Sequence, residues 1–257
     1  MRFASLGSGS NGNGLVIERN NTKLLLDCGF GLRDTISRLS RLQLSPDQLS
    51  GILVTHEHDD HASGVFKLAS KYQIPVWLTH GTYIMVERLL PTNHQLDIHI
   101  IDSHQSFHIN DLHVHPYTVP HDAREPVQYV VGDGLHKLGV LTDTGTSTPH
   151  IESMLSGCDA LVLECNHDLD MLMNGPYAWS LKKRVSSRLG HLDNAASATI
   201  LKNLDTSKLQ HIVAAHLSAK NNSPELASKA LSEALSCTQQ WIGIAEQDKG
   251  FDWRSLG

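Results

Sequence analysis

Cysteine is scarce, and long apolar runs are absent. Cys28, Cys158, Cys165 and Cys237 are scattered with no C-x-x-C pair, which excludes a disulfide framework and leaves reduced, mostly buried thiols as the expectation. No segment approaches the roughly 20 apolar residues of a membrane span, and the opening "MRFASLGSGSNGNG" lacks the apolar stretch of a secretory signal. A cytoplasmic protein with no membrane partner is therefore expected. Low-complexity tracts, internal repeats and a Pro/Ser-rich linker are missing too, so 257 residues with 40% apolar content read as one domain spanning 1–257. An excess of positive charge is also lacking: the net charge of -6 argues against indiscriminate polyanion binding and leaves room only for a local basic patch.

Histidine is abundant instead. Seventeen of them raise the prior for a transition-metal site, since imidazole is the commonest protein ligand. The densest group is "THEHDDHASG", residues 55–64, directly after the apolar run "GILVT". Residues two apart on a strand end point the same way, so His56 and His58 can share one ion. Asp60 and His61 follow after the chain turns toward the helical segment "VFKLASKY" and diverge enough to serve a second ion. H-x-H-x-D-H thus suits two metals.

The remaining pattern alternates. "RFASL", "GLVIE" and "KLLLD" read as a meander separated by "GSGSNGN" and "RNNT". "LRDTISRLSRL" places apolar residues at 32, 36, 39 and 42, which predicts a helix. "PVWLT" reads as a strand and "TYIMVERLL" as a helix. From about 98 to 142 the segments "IHII", "SFHI", "LHVHPYTV", "VQYVV" and "KLGVLT" predict a second sheet. "ALVLE", helices around 176–189 and 194–204, the strand "HIVAAH", the helix "PELASKALSEAL" and a last strand near "QQWIGI" complete the chain. The expected architecture is two mixed β-sheets flanked by helices, an α+β class.

"THEHDDH" resembles the signature of the metallo-β-lactamase superfamily, whose αββα sandwich agrees with this pattern. The resemblance extends to "LLLDCG" with Asp27, "TVPHDA" with His121, "LTDTG" with Asp143 and "AAHLS" with His216. It implies that His56, His58 and His121 hold one metal, that Asp60, His61 and His216 hold the other, that Asp143 bridges them, and that Asp27 supports the ligands. Two divalent ions with two carboxylates and a bridging hydroxide leave roughly one net positive charge, which favours an anionic substrate. Such a pair, about 3.5–4 Å apart, suits phosphodiester hydrolysis by the bridging hydroxide, with Asp60 orienting it. Nitrogen and oxygen ligands are compatible with Zn, Mn or Fe.

Narrower matches, "SLGSGSNGNG", "PHDAREPVQYVV", "LECNHD", "LKKRVSSRLGHLDN" and "AHLSAKNNSPE", resemble the YycJ (WalJ) branch, bacterial enzymes regarded as 5′-to-3′ DNA exonucleases. Related RNA-processing nucleases carry a proton-donating Glu–His pair in segments similar to "LVLECNHD" and "GHLDNAASA", which implies Glu164 and His191. The expected function is a metal-dependent DNA exonuclease. The alternatives are a small-molecule cyclic phosphodiesterase sharing these ligands, or a metal-binding scaffold without catalysis. Substrate contacts are expected from Ser8 and Asn11 in the Gly-rich turn, from His167, and from Lys182 and Arg184 in the basic run 182–188. Glu57 and Asp59 are expected to point away from the metals. His99, His104, His108, His113, His115, His136 and His150 match no motif and read as surface or packing residues.

Overall fold

The computed structural model describes residues 1–90 and 95–257. Strands β1 (Arg2–Gly7), β2 (Gly14–Arg19) and β3 (Thr22–Leu26) form the expected antiparallel meander. Three strands then add in parallel to β3: β4 (Gly51–Leu53), β5 (Val76–Thr79) and β6 (Ile98–Ile101). Helices α1 (Leu32–Arg41), α2 (Asp59–Ala62), α3 (Val65–Tyr72) and α4 (His80–Val86) lie in the connections.

The second sheet runs β7 (Phe107–Ile109), β8 (Leu112–Thr118), β9 (Val127–Gly132) and β10 (Lys137–Leu141), all antiparallel. It continues in parallel through β11 (Ala160–Glu164), β12 (His211–Ala215) and β13 (Ile242–Ile244). Its helices are α5 (Pro149–Leu155), α6 (Leu169–Asn174), α7 (Trp179–Val185), α8 (Asn194–Asn203) and α9 (Pro224–Leu235). Strand β14 (Phe251–Ser255) crosses back to pair antiparallel with β1.

The period of two along a strand explains the layers. Leu24 and Leu26 of β3 face the gap between the sheets, where they meet Val140 of β10, Val162 of β11 and Val213 of β12. Leu25 points the other way, onto Leu39 of α1 and Val65 and Phe66 of α3. In β11 and β12, Leu161, Leu163, Ile212 and Ala214 likewise face Ile151, Leu201 and Leu231 of α5, α8 and α9. Strands covered on both faces need apolar residues at every position, hence the unbroken "LLL" and "ALVL". Each such side chain contributes about 1.5–3 kcal/mol on burial. The result is the expected pair of mixed sheets with helices outside.

Some elements differ from the sequence expectation. The helix predicted over 176–189 is confined to 179–185, and the chain then folds back so that Gly190 packs on the helix end, where a Cβ would lie 2.2 Å from the Val185 carbonyl oxygen. The helix predicted from "TYIMVERLL" begins at His80, capped by the Thr79 side chain, and tightens to a 3₁₀ turn over Glu87–Leu89. The strand near "QQWIGI" is preceded by a 3₁₀ turn over Gln239–Trp241. Strand β14 and helices α2, α5 and α6 were not anticipated.

Cys28, Cys158 and Cys165 are buried free thiols, and Cys237 is a free thiol half-buried. Burial pushes the Cys28 thiol up to about 11 and those of Cys158 and Cys165 up to about 12, so they are packing groups, not nucleophiles. No helix among the described residues is long and apolar enough to cross a membrane.

Candidate active site

β3, β4, β8, β10, β11 and β12 all end at one rim, and the candidate residues follow those ends. Asp27 succeeds β3, His56 and His58 follow β4, and His121 follows β8. Asp143 succeeds β10, Glu164 closes β11, and His216 succeeds β12. Carboxyl ends of parallel strands are where open α/β sheets place ligands. Asp27 and His216 both have left-handed backbones, with φ of 59° and 54°. Strain of this kind persists where the surroundings hold it.

The histidine-rich loop is clamped onto β3. The Cys28 N–H donates to the His61 carbonyl and the Asn13 N–H to the Asp60 carbonyl, each at 2.8 Å. Gly29 is required: a Cβ there would lie 1.8 Å from the Asp60 carbonyl oxygen. His58 caps α2, so Asp60 and His61 turn away from His56 and His58 as expected.

Two nests result. His56, His58 and His121 bring a ligand nitrogen each within 4.8 Å of one another, and Asp60, His61 and His216 do the same with two nitrogens and an oxygen. Asp143 lies between them, with Oδ2 2.5 Å from His61 Nε2 and 3.8 Å from His56 Nε2, and Oδ1 2.6 Å from His216 Nδ1.

These residues fit a metal by their own geometry. Both Asp143 oxygens and His216 Nδ1 are buried yet lack an aligned hydrogen bond among the described residues, although nitrogens stand within 3 Å. Buried polar atoms rarely stay so. In the first nest the ring nitrogens crowd together, His58 Nδ1 lying 3.0 Å from His56 Nε2 and 3.3 Å from His121 Nε2, and such convergence of nitrogen and carboxylate atoms is what divalent-metal binding asks of them.

Electrostatics agree. Burial, then His61, holds His56 well below the usual imidazole range, and burial brings His121 down to about 4 against the pull of Asp143. Both rings are neutral at pH 7 and keep a lone pair for a cation. Burial alone would raise Asp143, but His216 and His61 outweigh it and hold the carboxyl well below its ordinary value.

Asp27 sets the orientation of His61. Its Oδ2 lies 2.8 Å from His61 Nδ1 and accepts from Thr55 Oγ1 at 2.8 Å, while Oδ1 accepts from the Thr55 N–H at 2.8 Å. An Nδ1–H held by Asp27 leaves the Nε2 lone pair facing Asp60 and Asp143. Asp27→Asn is expected to weaken metal affinity by about 10–100-fold, read by competitive chelator titration, with the fold retained by circular dichroism.

The Glu164–His191 pair lies beside Asp143. His191 Nδ1 is 2.7 Å from Glu164 Oε1 and 3.1 Å from Asp143 Oδ1. Glu164 Oε2 accepts from the Thr144 and Leu192 N–H groups at 3.0 and 3.3 Å, which fixes the carboxylate. Burial would lower His191, but Glu164 and Asp143 outweigh it and hold the imidazole well above its usual value. Burial raises Glu164 itself. The pair therefore keeps a proton at neutral pH. His191 also lines a cavity of ≈ 390 Å³ together with His58, Asp60, Asp143 and His216.

The expected substrate contacts are placed unevenly. Arg184 lines that cavity, its Nε donating to Asp122 Oδ2 at 2.7 Å. The Lys182 Nζ instead donates to the Met173 carbonyl at 2.7 Å and ties α7 to α6. Ser8 is buried, donating to Asn13 Oδ1 and accepting from the His216 N–H, so it braces the turn against the His216 loop. Asn11 is exposed, with its N–H on Gln247 Oε1, and Ser10 is the turn residue that borders the cavity. His167 is 1% exposed with neither ring nitrogen partnered among the described residues, and burial brings it down to about 4. Glu57 and Asp59 belong to neither nest, though Asp59 borders the cavity. The seven unmatched histidines also lie outside the ligand groups, and His99 stacks on Trp77.

Three residues escaped the sequence reading. Asn13 Nδ2 lies 3.0 Å from His61 Nε2 and 3.3 Å from Asp60 Oδ2. Asp122 Oδ1 lies 3.5 Å from His121 Nε2 and 3.9 Å from His58 Nε2. Tyr177 lines the cavity wall. The signals were there in "NGN" and "PHDA", beside residues already singled out; Tyr177 had none.

Comparison with known proteins agrees with this geometry. The family described as "Beta-lactamase superfamily domain" matches residues 22–216. The chain is 36% identical to exodeoxyribonuclease YycJ of Bacillus anthracis, covering 96% of this chain and 92% of that protein. It is 32% identical to exodeoxyribonuclease WalJ of Streptococcus pneumoniae, covering 95% and 91%. The crystal structure of the metallo-β-lactamase fold protein YhfI from Bacillus subtilis superposes with a TM-score of 0.77 at 17% identity, over 99% of each chain. With its two-sheet sandwich, its rim of histidines and aspartates, and these relatives, the chain belongs to the metallo-β-lactamase superfamily, in the YycJ/WalJ branch.

Proposed function

We propose that the chain is a DNA exonuclease that hydrolyses phosphodiesters with two divalent metal ions and digests from the 5′ end. The observation that carries this reading is the Glu164–His191 pair set 3.1 Å from Asp143, between the two nests. Metal binding alone does not call for a proton donor there, whereas expulsion of a sugar alkoxide does. The full-length similarity to proteins named exodeoxyribonucleases supports the same substrate class.

His56, His58 and His121 would hold one ion, Asp60, His61 and His216 the other, with Asp143 shared; Zn, Mn or Fe suits these donors. Ions there would supply a hydroxide nucleophile at neutral pH and offset charge on the attacked phosphate. Asp60, which lines the cavity, would orient the nucleophile. Glu164 fixes His191 through Nδ1, so that Nε2 is the atom placed to give a proton to the leaving oxygen. Arg184, ion-paired with Asp122, places a guanidinium on the cavity wall. A cytoplasmic enzyme is consistent with its reduced thiols.

The test is a substrate panel with Mn or Zn supplied: DNA blocked at either end, RNA, and a cyclic ribose phosphate. Mononucleotide release from DNA that a 5′ block prevents is the expected result. Opening of the cyclic phosphate with DNA untouched would reassign the chain to small-molecule phosphodiesters, and no turnover of any substrate would leave a metal-binding scaffold.

A further inference from the structure

Helix α7 is anomalous. None of its seven residues is buried, so the core packing that normally maintains a short helix does not account for it. With α6 and the connection between them, it forms an arch beside the cavity, and Tyr177, Leu181, Arg184 and Val185 make up part of the cavity wall. Large apolar side chains concentrate here. Six of the eleven exposed on the described surface fall between 169 and 189, with Trp179 at 62% exposure. Clusters of this kind mark an interaction surface.

Charge says what kind. From Met171 to Leu192 no acidic residue occurs, while Lys182, Lys183, Arg184 and Arg188 do, in a chain whose net charge is -6. Asp170 at the start of α6 and Asp122, paired with Arg184, offset part of this, so the basic surplus of the arch lies at Lys182, Lys183 and Arg188. The aromatics carry cations at their faces: Lys183 Nζ lies 5.6 Å from the Trp179 ring centroid and Lys220 Nζ 5.7 Å from that of Tyr177. Aromatic rings interleaved with cations are how proteins hold unpaired strands, and the paired lysines, depleted at protein–protein interfaces, set this patch apart from an interface whose Trp, Tyr, Met and Arg it otherwise shares. Bases within a duplex are stacked on one another, so exposed rings serve a single strand.

We propose that the arch is a platform for single-stranded nucleic acid, with Tyr177 and Trp179 stacking on unpaired bases and Lys183, Arg184 and Lys220 meeting phosphates of the strand that leads into the cavity. The proposal rests on the nuclease reading and specifies the form in which the substrate reaches the metals: unpaired near the scissile bond, with little sequence preference.

The experiment uses metal-loaded protein with Mn supplied and compares Trp179→Ala, Trp179→Phe, Tyr177→Ala and Lys183→Ala with a distant control, Trp241→Ala. The first readout is the ratio of kcat/KM on a short single-stranded oligonucleotide to that on bis(p-nitrophenyl) phosphate, which cancels losses of folded or metal-loaded protein. The second is binding of a cleavage-resistant phosphorothioate oligonucleotide to the same metal-loaded protein by fluorescence anisotropy. Trp179→Ala and Tyr177→Ala are each expected to lower the ratio and the affinity about tenfold, Trp179→Phe to recover most of it, and Trp241→Ala to change neither. Lys183→Ala should reduce the salt slope of binding by about one. An unchanged ratio in both alanine variants, with wild type still digesting DNA, overturns the platform and leaves the nuclease reading intact. Wild type that neither binds nor cleaves any strand removes both. Unaltered DNA handling with a changed sedimentation coefficient overturns the proposal in favour of contact between copies of this chain.

Discussion

Replacing His191 with alanine is expected to lower kcat on a DNA strand by about 10²–10⁴-fold, the contribution of a well-placed general acid. The loss should depend on the leaving group. A sugar alkoxide leaves poorly without a proton, whereas p-nitrophenolate is stable enough to depart alone, so His191→Ala should cost far less on bis(p-nitrophenyl) phosphate. A merely structural role for His191 would depress both substrates alike. The pH profile gives a second reading. A general acid must be protonated, so the rate falls as pH rises through the pKa of His191, which Glu164 and Asp143 hold above the ordinary imidazole value. Glu164→Gln removes one of those charges, and the alkaline limb should move to lower pH. A limb that stays where it is would separate Glu164 from proton transfer.

Asp143→Ala is the variant expected to impair every substrate alike. Its carboxylate is 1% exposed and its oxygens approach nitrogens of His61 and His216, one from the second nest's α2 turn and one from its β12 end. Removing it leaves Asp60, 3.5 Å from both His61 Nε2 and His216 Nε2, as the carboxylate facing these imidazoles, and takes away the one that joins the two nests. Several kcal/mol of charge stabilisation depend on ions held there, so activity should fall by about 10³-fold or more on every phosphodiester, whatever the leaving group. This uniform loss distinguishes Asp143 from His191. Rate measurements on the same two substrates decide it.

Much of the candidate metal cluster was legible because residues suited to metal binding leave a local trace. Polar residues that break an apolar strand at its carboxyl end, as in "GILVTHEHDDH" and "KLGVLTDTG", have few other reasons to be there. The layered fold was legible for a similar reason, since strands covered on both faces leave no room for polar residues. What escaped depends on distant parts of the chain meeting. Asn13 reaches Asp60 and His61 across 47 and 48 positions, and Asp122 finds Arg184 across 62. Strand β14 pairs with β1 from the far end of the chain and across a register shift between Phe3 and Ser5, which no local pattern announces. The exposure of Trp179 was equally hidden, because an isolated tryptophan ordinarily reads as core.

The most direct test of the account is the metal content of the purified protein after saturation and desalting, measured by plasma mass spectrometry. Wild type is predicted to retain about two divalent ions per chain and Asp143→Ala substantially fewer, with activity following occupancy. A folded wild-type chain that retains no ion, or an Asp143→Ala variant that retains as many as wild type, would contradict it.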